Sequence, residues 1–432
     1  MSSSLPPQKP DVTLSLGLPS LPTSSGGLKP EERDVKLIQL LLTCANHASS
    51  GNLHHADACL RQISRLASIN GDSMQRLAVR FASALAVRLV KRWPGLYKSL
   101  NINGAASASC DIVRAREIFE RTFPCIEFAY AVINRVLFQA MSREHVIHVI
   151  DLGSENPKLW VPFIRGLHEL SEELDHGPPH LKITCIGKDK EAQQRLRAVL
   201  VKEAEVLSMP FQFNPVMVDI RDLKMDMLKI EPGEALALIS ILSLHVLLAE
   251  DDRVESHFGL SKNDQIKDTK HLNEFLEMVK SMSPKVVLLV EQESNHNSNR
   301  LVDRFVEGIH YYSAIFDSID VAFGGFSGKE RTTLEEMFGK EIENIVSCEG
   351  MEREERHERF RQWAVRFGKV GIRPIRLWSE NMDEALKVVE NYGPSGFKVI
   401  SEKGSLMICW HDRPIYAVSS WNCFRFLANN DD

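Results

Sequence analysis

An α/β fold, with a doubly wound parallel sheet behind a layer of helices and an antiparallel hairpin at its end, is what this sequence predicts. Three observations carry the prediction. The segment His145 to Trp160, HVIHVIDLGSENPKLW, opens with an apolar, β-branched run interrupted only by His148 and stopped by Asp151. Gly153 and Pro157 follow, as expected of a buried strand that turns sharply into a helix. Further short apolar runs then alternate with amphipathic stretches of helical period, the pattern of β/α units. The last three runs, Phe397 to Ser401, Leu406 to Trp410 and Tyr416 to Ser420, are joined by turns too short for a crossover helix, so they must pair antiparallel. A terminal hairpin points to a Rossmann-like core of the class I methyltransferase arrangement rather than to a dinucleotide dehydrogenase.

Residues 1–32 are rich in Ser, Pro and Gly and too poor in apolar residues to support a core, so they read as a disordered tail. Within it, Leu14, Leu16 and Leu18 alternate and would share one face of a peptide extended on a partner. From residue 33 the period changes. Leu37, Leu41, Cys44 and Ala48 fall on one helical face, 74–90 is strongly helical, and 112–141 gives two helices around Pro124. Residues 33–142 are therefore a mainly helical cap, whose leucines serve internal packing or a self-association surface.

Residues 143–424 form the α/β core. Strands are expected at 146–152, 181–186, 211–218, 235–242 and 286–290, with helices at 157–170, 191–207, 272–282 and 300–316. The charged, irregular stretch from Ala249 suggests a cap insertion near 249–282. Charged helices are expected from about Glu330 to Arg366, with Glu355 and Arg359 forming an i, i+4 pair. Residues 425–432 are a flexible tail.

Composition bounds the function. With 44% hydrophobic and 25% charged residues, the chain can bury a sizeable core. It holds no apolar run approaching the ~20 residues of a membrane span, and its start lacks the pattern of a secretion signal. Eight Cys without a C-x-x-C pair read as reduced core thiols of a cytosolic or nuclear protein. A net charge of −6 argues against a wholesale nucleic-acid coat.

The turn after the first strand is the candidate site. Class I methyltransferases hold S-adenosylmethionine at D/E-x-G-x-G-x-G. Here Asp151 and Gly153 fit, but Glu155 replaces the second glycine and Pro157 the third. Glu155 adds bulk and negative charge near the place of the cofactor's own carboxylate, a repulsion worth kcal/mol in a desolvated site. The acid expected after strand two arrives late, at Asp189. The chain has no G-x-S-x-G, Walker loop or H-E-x-x-H. Glu291, Glu293 and His296 read as a polar turn solvating a strand end. His148 reads as a core imidazole bonded to backbone, and His54 with His55 as a surface pair. Arg353, Arg356, Arg359, Arg361 and Arg366 could touch phosphate, together with Lys91 and Arg92, but Glu352, Glu354, Glu355 and Glu358 cancel much of that field. No catalytic, cofactor-binding or metal-ligating residue is assigned, and two alternatives stay open: a small-molecule methyltransferase and a direct DNA binder.

Together these residues resemble the GRAS family of plant transcriptional regulators. Ile147 to Asp151 is similar to its VHIID motif, including His148 and Asp151, and Trp160 and Pro162 match the residues that follow. Cys348, Glu349, Gly350, Glu352, Arg353, Arg356, His357, Glu358 and Trp363 match C-E-G-x-E-R-x-x-R-H-E and the tryptophan beyond it. Arg304 to Phe316 falls at the PFYRE region, and Trp410 with Ser419, Ser420 and Trp421 at the terminal SAW motif. Two departures stand out: Lys158-Leu159 before Trp160, and Asn422 where many members have Arg, which could loosen a contact of the SAW region. The resemblance implies a methyltransferase-like core without demonstrated catalysis, no cofactor, and nuclear work through protein partners. Those partners are zinc-finger factors of the indeterminate-domain type and DELLA regulators of gibberellin signalling, with homo- or heterodimers among the options. In that setting Leu14, Leu16 and Leu18 resemble an L-x-L-x-L peptide recruiting a Topless-type corepressor.

Overall fold

The computed structural model describes residues 29–101, 108–173, 177–250, 269–324, 328–377, 379–392 and 396–423. The cap consists of α1 (Pro30–Ser49), α2 (Leu53–Leu66), α3 (Ser73–Val90), α4 (Pro94–Asn101), α5 (Ala108–Thr122) and α6 (Cys125–Met141). Asp72 starts α3 with a capping box, accepting from Gln75 N at 2.9 Å while Gln75 reaches back to the Asp72 amide.

The core follows as β1 (Val146–Leu152), α7 (Pro157–Glu173), β2 (His180–Gly187), α8 (Lys190–Val206), β3 (Phe211–Met217), β4 (Ala235–Ile241), α9 (Lys270–Met282) and β5 (Val286–Gln292). Then come α10 (Leu301–Phe323), α11 (Lys329–Ser347), α12 (Phe360–Lys369), β6 (Arg373–Ile375), α13 (Ser379–Asn391), β7 (Phe397–Glu402), β8 (Ser405–Trp410) and β9 (Arg413–Asn422). The sheet order is β3-β2-β1-β4-β5-β9-β8-β7, with β6 also on β9. The first five strands are parallel, and β9 inserts antiparallel against β5. This is the predicted doubly wound order with its closing hairpin.

Alternation along each central strand splits the interior into two cores. Ile147, Val149, Ala237, Ile239, Leu288 and Val290 face the cap together with α6, α7, α10 and α11. Ile150, Leu152, Leu238, Val287 and Leu289 face α9, α12 and Trp421. Both faces are covered, which is why the strands read as continuous apolar runs. Among the described residues, no helix is long and apolar enough to cross a membrane.

Three expectations need correction. The stretch 251–268 lies outside the described residues, but α9 is no part of a cap insertion. It is the β4–β5 crossover, burying Leu272, Phe275, Leu276 and Val279 on the face opposite the cap. The charged run from Glu330 to Arg366 is not continuously helical: Cys348 to Arg359 leaves the helix, with a single 3-10 turn at Gly350–Glu352. Its charges are satisfied by tertiary partners rather than by helical neighbours. Finally, α13 and β6 were not anticipated. β6 is only three residues long, and the buried stripe of α13 includes the polar Asn381 beside Ala385 and Val389.

Candidate functional site at the carboxyl ends of the strands

The β1 turn is closed from within. Asp151 is fully buried on the cap side and accepts from Ser154 N (3.0 Å), Ser154 Oγ and Trp160 Nε1 (3.3 Å). It thereby ties the turn to α7, which starts at Pro157 and buries Leu159 and Trp160. The unusual Leu159 is thus a core residue. Gly153 sits at φ +85°, where the turn needs a residue without Cβ. Glu155 is also left-handed, at φ 45°, and its carboxylate lies over Gly187 at the end of β2, so close that a side chain on Gly187 would collide with it. Asp189, the late acid, accepts from Glu191 N (2.9 Å) and Ala192 N (3.0 Å) and caps α8.

Burial, then Asp189 and Asp151, push the Glu155 pKa up to about 7 from 4.5. Between those values the folded state binds the extra proton, so native stability falls as pH rises through the window and stays reduced above it. Glu155→Gln removes that fall. At pH 8 the variant should be more stable by about 1–3 kcal/mol, at roughly 1.4 kcal/mol per unit with screening at a half-buried position. Urea midpoints at pH 5 and pH 8 measure it; equal pH dependence in both proteins would refute it.

A second constellation occupies the carboxyl ends of β4 and β5. His245 stands in a 3-10 turn, Leu244–Leu248, just after β4. Its Nδ1 donates to Glu291 Oε2 at 2.9 Å, while Glu291 Oε1 accepts from Leu244 N and His245 N. Burial works against charge on His245, but Glu291 and Glu355 outweigh it and push its pKa up to about 10. Glu291 and His296 are buried, not a solvated turn. His296 N donates to His357 O at 2.9 Å, and the two rings meet Nδ1 to Nδ1 at 3.0 Å. Glu293 Oε2 accepts Phe360 N at 2.8 Å, starting α12. Glu355 does not pair with Arg359. It turns to His245 and His357, and Arg359 bonds Glu307 at 2.6 Å.

The remaining motif residues hold this segment down. Glu349 receives Arg304, which is completely buried, and Arg88 from the cap at 2.7 Å. Gly350 takes φ +61° and gives its carbonyl to Arg356 Nη2 at 3.0 Å. Arg353 Nη1 donates to the carbonyls of His296 and Ser298, both at 3.1 Å. Glu358 grips Arg366 through both oxygens. Trp363 is buried on α12. Trp421 is fully buried beside Phe367, Ser420 is buried on β9, and Trp410 Nε1 donates to Asp317 Oδ2 at 2.7 Å. His148 is a core imidazole, but its partners are side chains: Glu234 at 2.6 Å and Thr184 at 2.8 Å. Asn422 faces Arg373 across the ladder, where an arginine would set like charges opposite each other.

Of the arginines proposed for phosphate contact, Arg361 is exposed, and the others are engaged within the protein. Arg353, Arg356 and Arg366 are buried and engaged internally, and Arg359 is engaged by Glu307. Arg92 donates to Ala48 O at 3.1 Å, and Lys91 lies beside Cys348 Sγ at 3.0 Å. A groove of about 560 Å³ does separate cap from sheet, between Met74 and Leu77 of α3 and Trp410 to Pro414. Leu14, Leu16 and Leu18 lie outside the described residues.

Fold and site together define an α/β protein with the strand order of class I methyltransferases, a helical cap and a β1 turn in which Glu155 lies over Gly187. The GRAS domain family model matches residues 37–422, and the chain belongs to that family. It is similar to Scarecrow-like protein 3 of Arabidopsis thaliana, 37% identical with 95% of each chain covered. DELLA protein RGL1 of the same plant is 32% identical, with 92% of this chain and 72% of the relative covered. Among solved structures, SCL7 of Oryza sativa superposes with a TM-score of 0.75 at 26% identity, covering 89% of this chain and 99% of that one.

Proposed function

We propose that this protein is a non-enzymatic transcriptional co-regulator that works in the nucleus through protein partners, in gibberellin signalling and plant growth. The observation that carries the reading is Glu155 folded over Gly187, which fills the place a methyltransferase keeps for its cofactor. The fold then serves as a scaffold, and the cap, the sheet edge and the groove between them offer surface for partners. Similarity to DELLA proteins supports partners of the same family, and zinc-finger factors of the indeterminate-domain type are the second class. Leu14, Leu16 and Leu18 would recruit a Topless-type corepressor as an extended peptide.

Pull-down of the full chain against indeterminate-domain zinc fingers and DELLA proteins tests the reading, with calorimetry against S-adenosylmethionine beside it. Capture of a partner with no cofactor heat is expected. Micromolar cofactor binding that Asp151→Ala abolishes, or an intact fold that captures neither class, would overturn it. Replacing Leu14, Leu16 and Leu18 by Ala should remove repression in a reporter assay while zinc-finger capture persists.

A further inference from the structure

The imidazoles at the ends of β4 and β5 are arranged as more than a hydrogen-bonded cluster. The rings of His245 and His357 lie side by side, centroids 4.4 Å apart. Both present Nε2 to the same carboxylate oxygen: Glu355 Oε2 is 3.5 Å from His245 Nε2 and 3.1 Å from His357 Nε2. The three donor atoms all fall within 4.8 Å of one another. A tetrahedral zinc ion with bonds of about 2.0–2.1 Å spaces its donors by roughly 3.3–3.4 Å, so two of these separations already bracket the required edge.

The far sides of the rings are fixed as ligating imidazoles need to be. His245 Nδ1 is held by Glu291, itself anchored by two backbone amides. His357 Nδ1 is held by His296, whose Nε2 meets Ser294 Oγ at 2.8 Å. Such partners set the tautomer and aim the opposite nitrogen at the metal. His357 Nε2 is shielded from solvent and has no hydrogen bond of proper geometry among the described residues. Its close polar neighbour is the Glu355 oxygen at 3.1 Å, and a metal ion between the two would bond both. The Glu355 side chain is 26% exposed, whereas the two imidazoles are nearly buried. Two imidazoles with one carboxylate select zinc over magnesium or calcium, which prefer all-oxygen shells.

We propose that His245, Glu355 and His357 bind a zinc ion, with Glu291 and His296 orienting the two rings. The ion joins the turn after β4 to the segment before α12. It thereby staples the Cys348–Arg359 segment, which has almost no secondary structure of its own, to the ends of the parallel strands.

The test uses the full chain without a polyhistidine tag, purified without chelator, stripped with EDTA and titrated with zinc and then with cobalt. About one ion per chain is expected, with the intense visible absorption of tetrahedral cobalt and a thermal midpoint that chelator lowers. His357→Ala and Glu355→Gln should lose the ion. Glu291→Gln should weaken it by about 10–100-fold while the far-UV circular dichroism is kept. His54→Ala/His55→Ala, which dismantles the exposed cluster where those rings and His47 lie together, should bind as wild type does. Failure of the wild-type chain to take up zinc or cobalt would overturn the site. So would loss of the ion in the His54/His55 variant with retention in Glu291→Gln at full affinity. If His357→Ala does not fold, the Glu291→Gln and His54/His55 pair decides alone.

Discussion

Replacing Glu358 with alanine is expected to destabilise the protein by about 3–5 kcal/mol. Glu358 and Arg366 are held in a two-bond fork, with Nε to Oε2 at 2.5 Å and Nη2 to Oε1 at 2.6 Å. Their side chains are only 3% and 2% exposed, so water cannot take over for a missing partner. Glu358 Oε1 also accepts from Asn297 Nδ2 at 2.7 Å, which extends the network to the segment after β5. The alanine variant takes both carboxylate bonds from a buried guanidinium that cannot give up its proton. The cost is that of a buried charge deprived of its carboxylate rather than of one lost bond, so Glu358→Leu/Arg366→Met together should recover most of the loss. Urea unfolding of wild type, single and double variants measures it. A single-variant cost within the ~0–1 kcal/mol of a surface pair would show that the interior is wetter than the burial implies.

Trp421→Ala is expected to cost about 3–5 kcal/mol as well, for a different reason. Trp421 is fully buried near the end of β9, paired with Val287 of β5 on one side and Pro374 of β6 on the other. Its ring lies 4.6 Å from Phe367 and 5.6 Å from Phe360, and it fixes α12 against the sheet. Its Nε1 donates to Ser419 Oγ at 3.0 Å, so the polar tip is satisfied inside the core. Truncation opens a cavity among residues held by β-pairing, which cannot collapse to fill it. Trp421→Phe keeps most of the contact and should lose clearly less. Thermal unfolding followed by near-UV circular dichroism separates the two, and equal losses would place the cost in the indole N–H rather than in packing.

The two variants probe the same junction from opposite sides. Glu358 and Arg366 hold the start of α12 by charge, and Trp421 holds its length by packing. The Cys348–Arg359 segment, which supplies His357 and Glu355, depends on both. Loss of either should therefore also weaken zinc uptake at the β4 and β5 ends, whereas Glu155→Gln, in the turn after β1, should leave it unchanged.

Legibility in the sequence followed the periodicity of each segment. β1 to β5 announced themselves because burial on both faces demands continuous apolar runs, and the short turns of the hairpin allowed antiparallel pairing alone. The departure of the β1 turn from the glycine-rich pattern was readable from Glu155 and Pro157, and the structure adds that the Glu155 carboxylate lies over Gly187. The family motif from Cys348 was readable as a pattern, but its environment was not. Dense charge has the same sequence signature whether water or buried partners solvate it, and Arg353, Arg356, Glu358 and Arg366 turned out to be interior. His296 and His357 were visible as residues, but nothing local linked either to His245, and only the folding of the chain brings the three together.

The sequence by itself determined the doubly wound order, the helical layer, the terminal hairpin and the departures of the β1 turn from the glycine-rich pattern, because each follows from local pattern and chain connectivity. Tertiary structure alone decided which charges are buried, that α9 belongs to the sheet rather than to the cap, and that two histidines and a glutamate converge at the ends of β4 and β5. The physical reason is range. Period, turn chemistry and β-propensity act over a few residues and leave their mark in order along the chain. Desolvation and ion pairing depend on which distant segments exclude water together, and that is fixed only when the chain closes on itself.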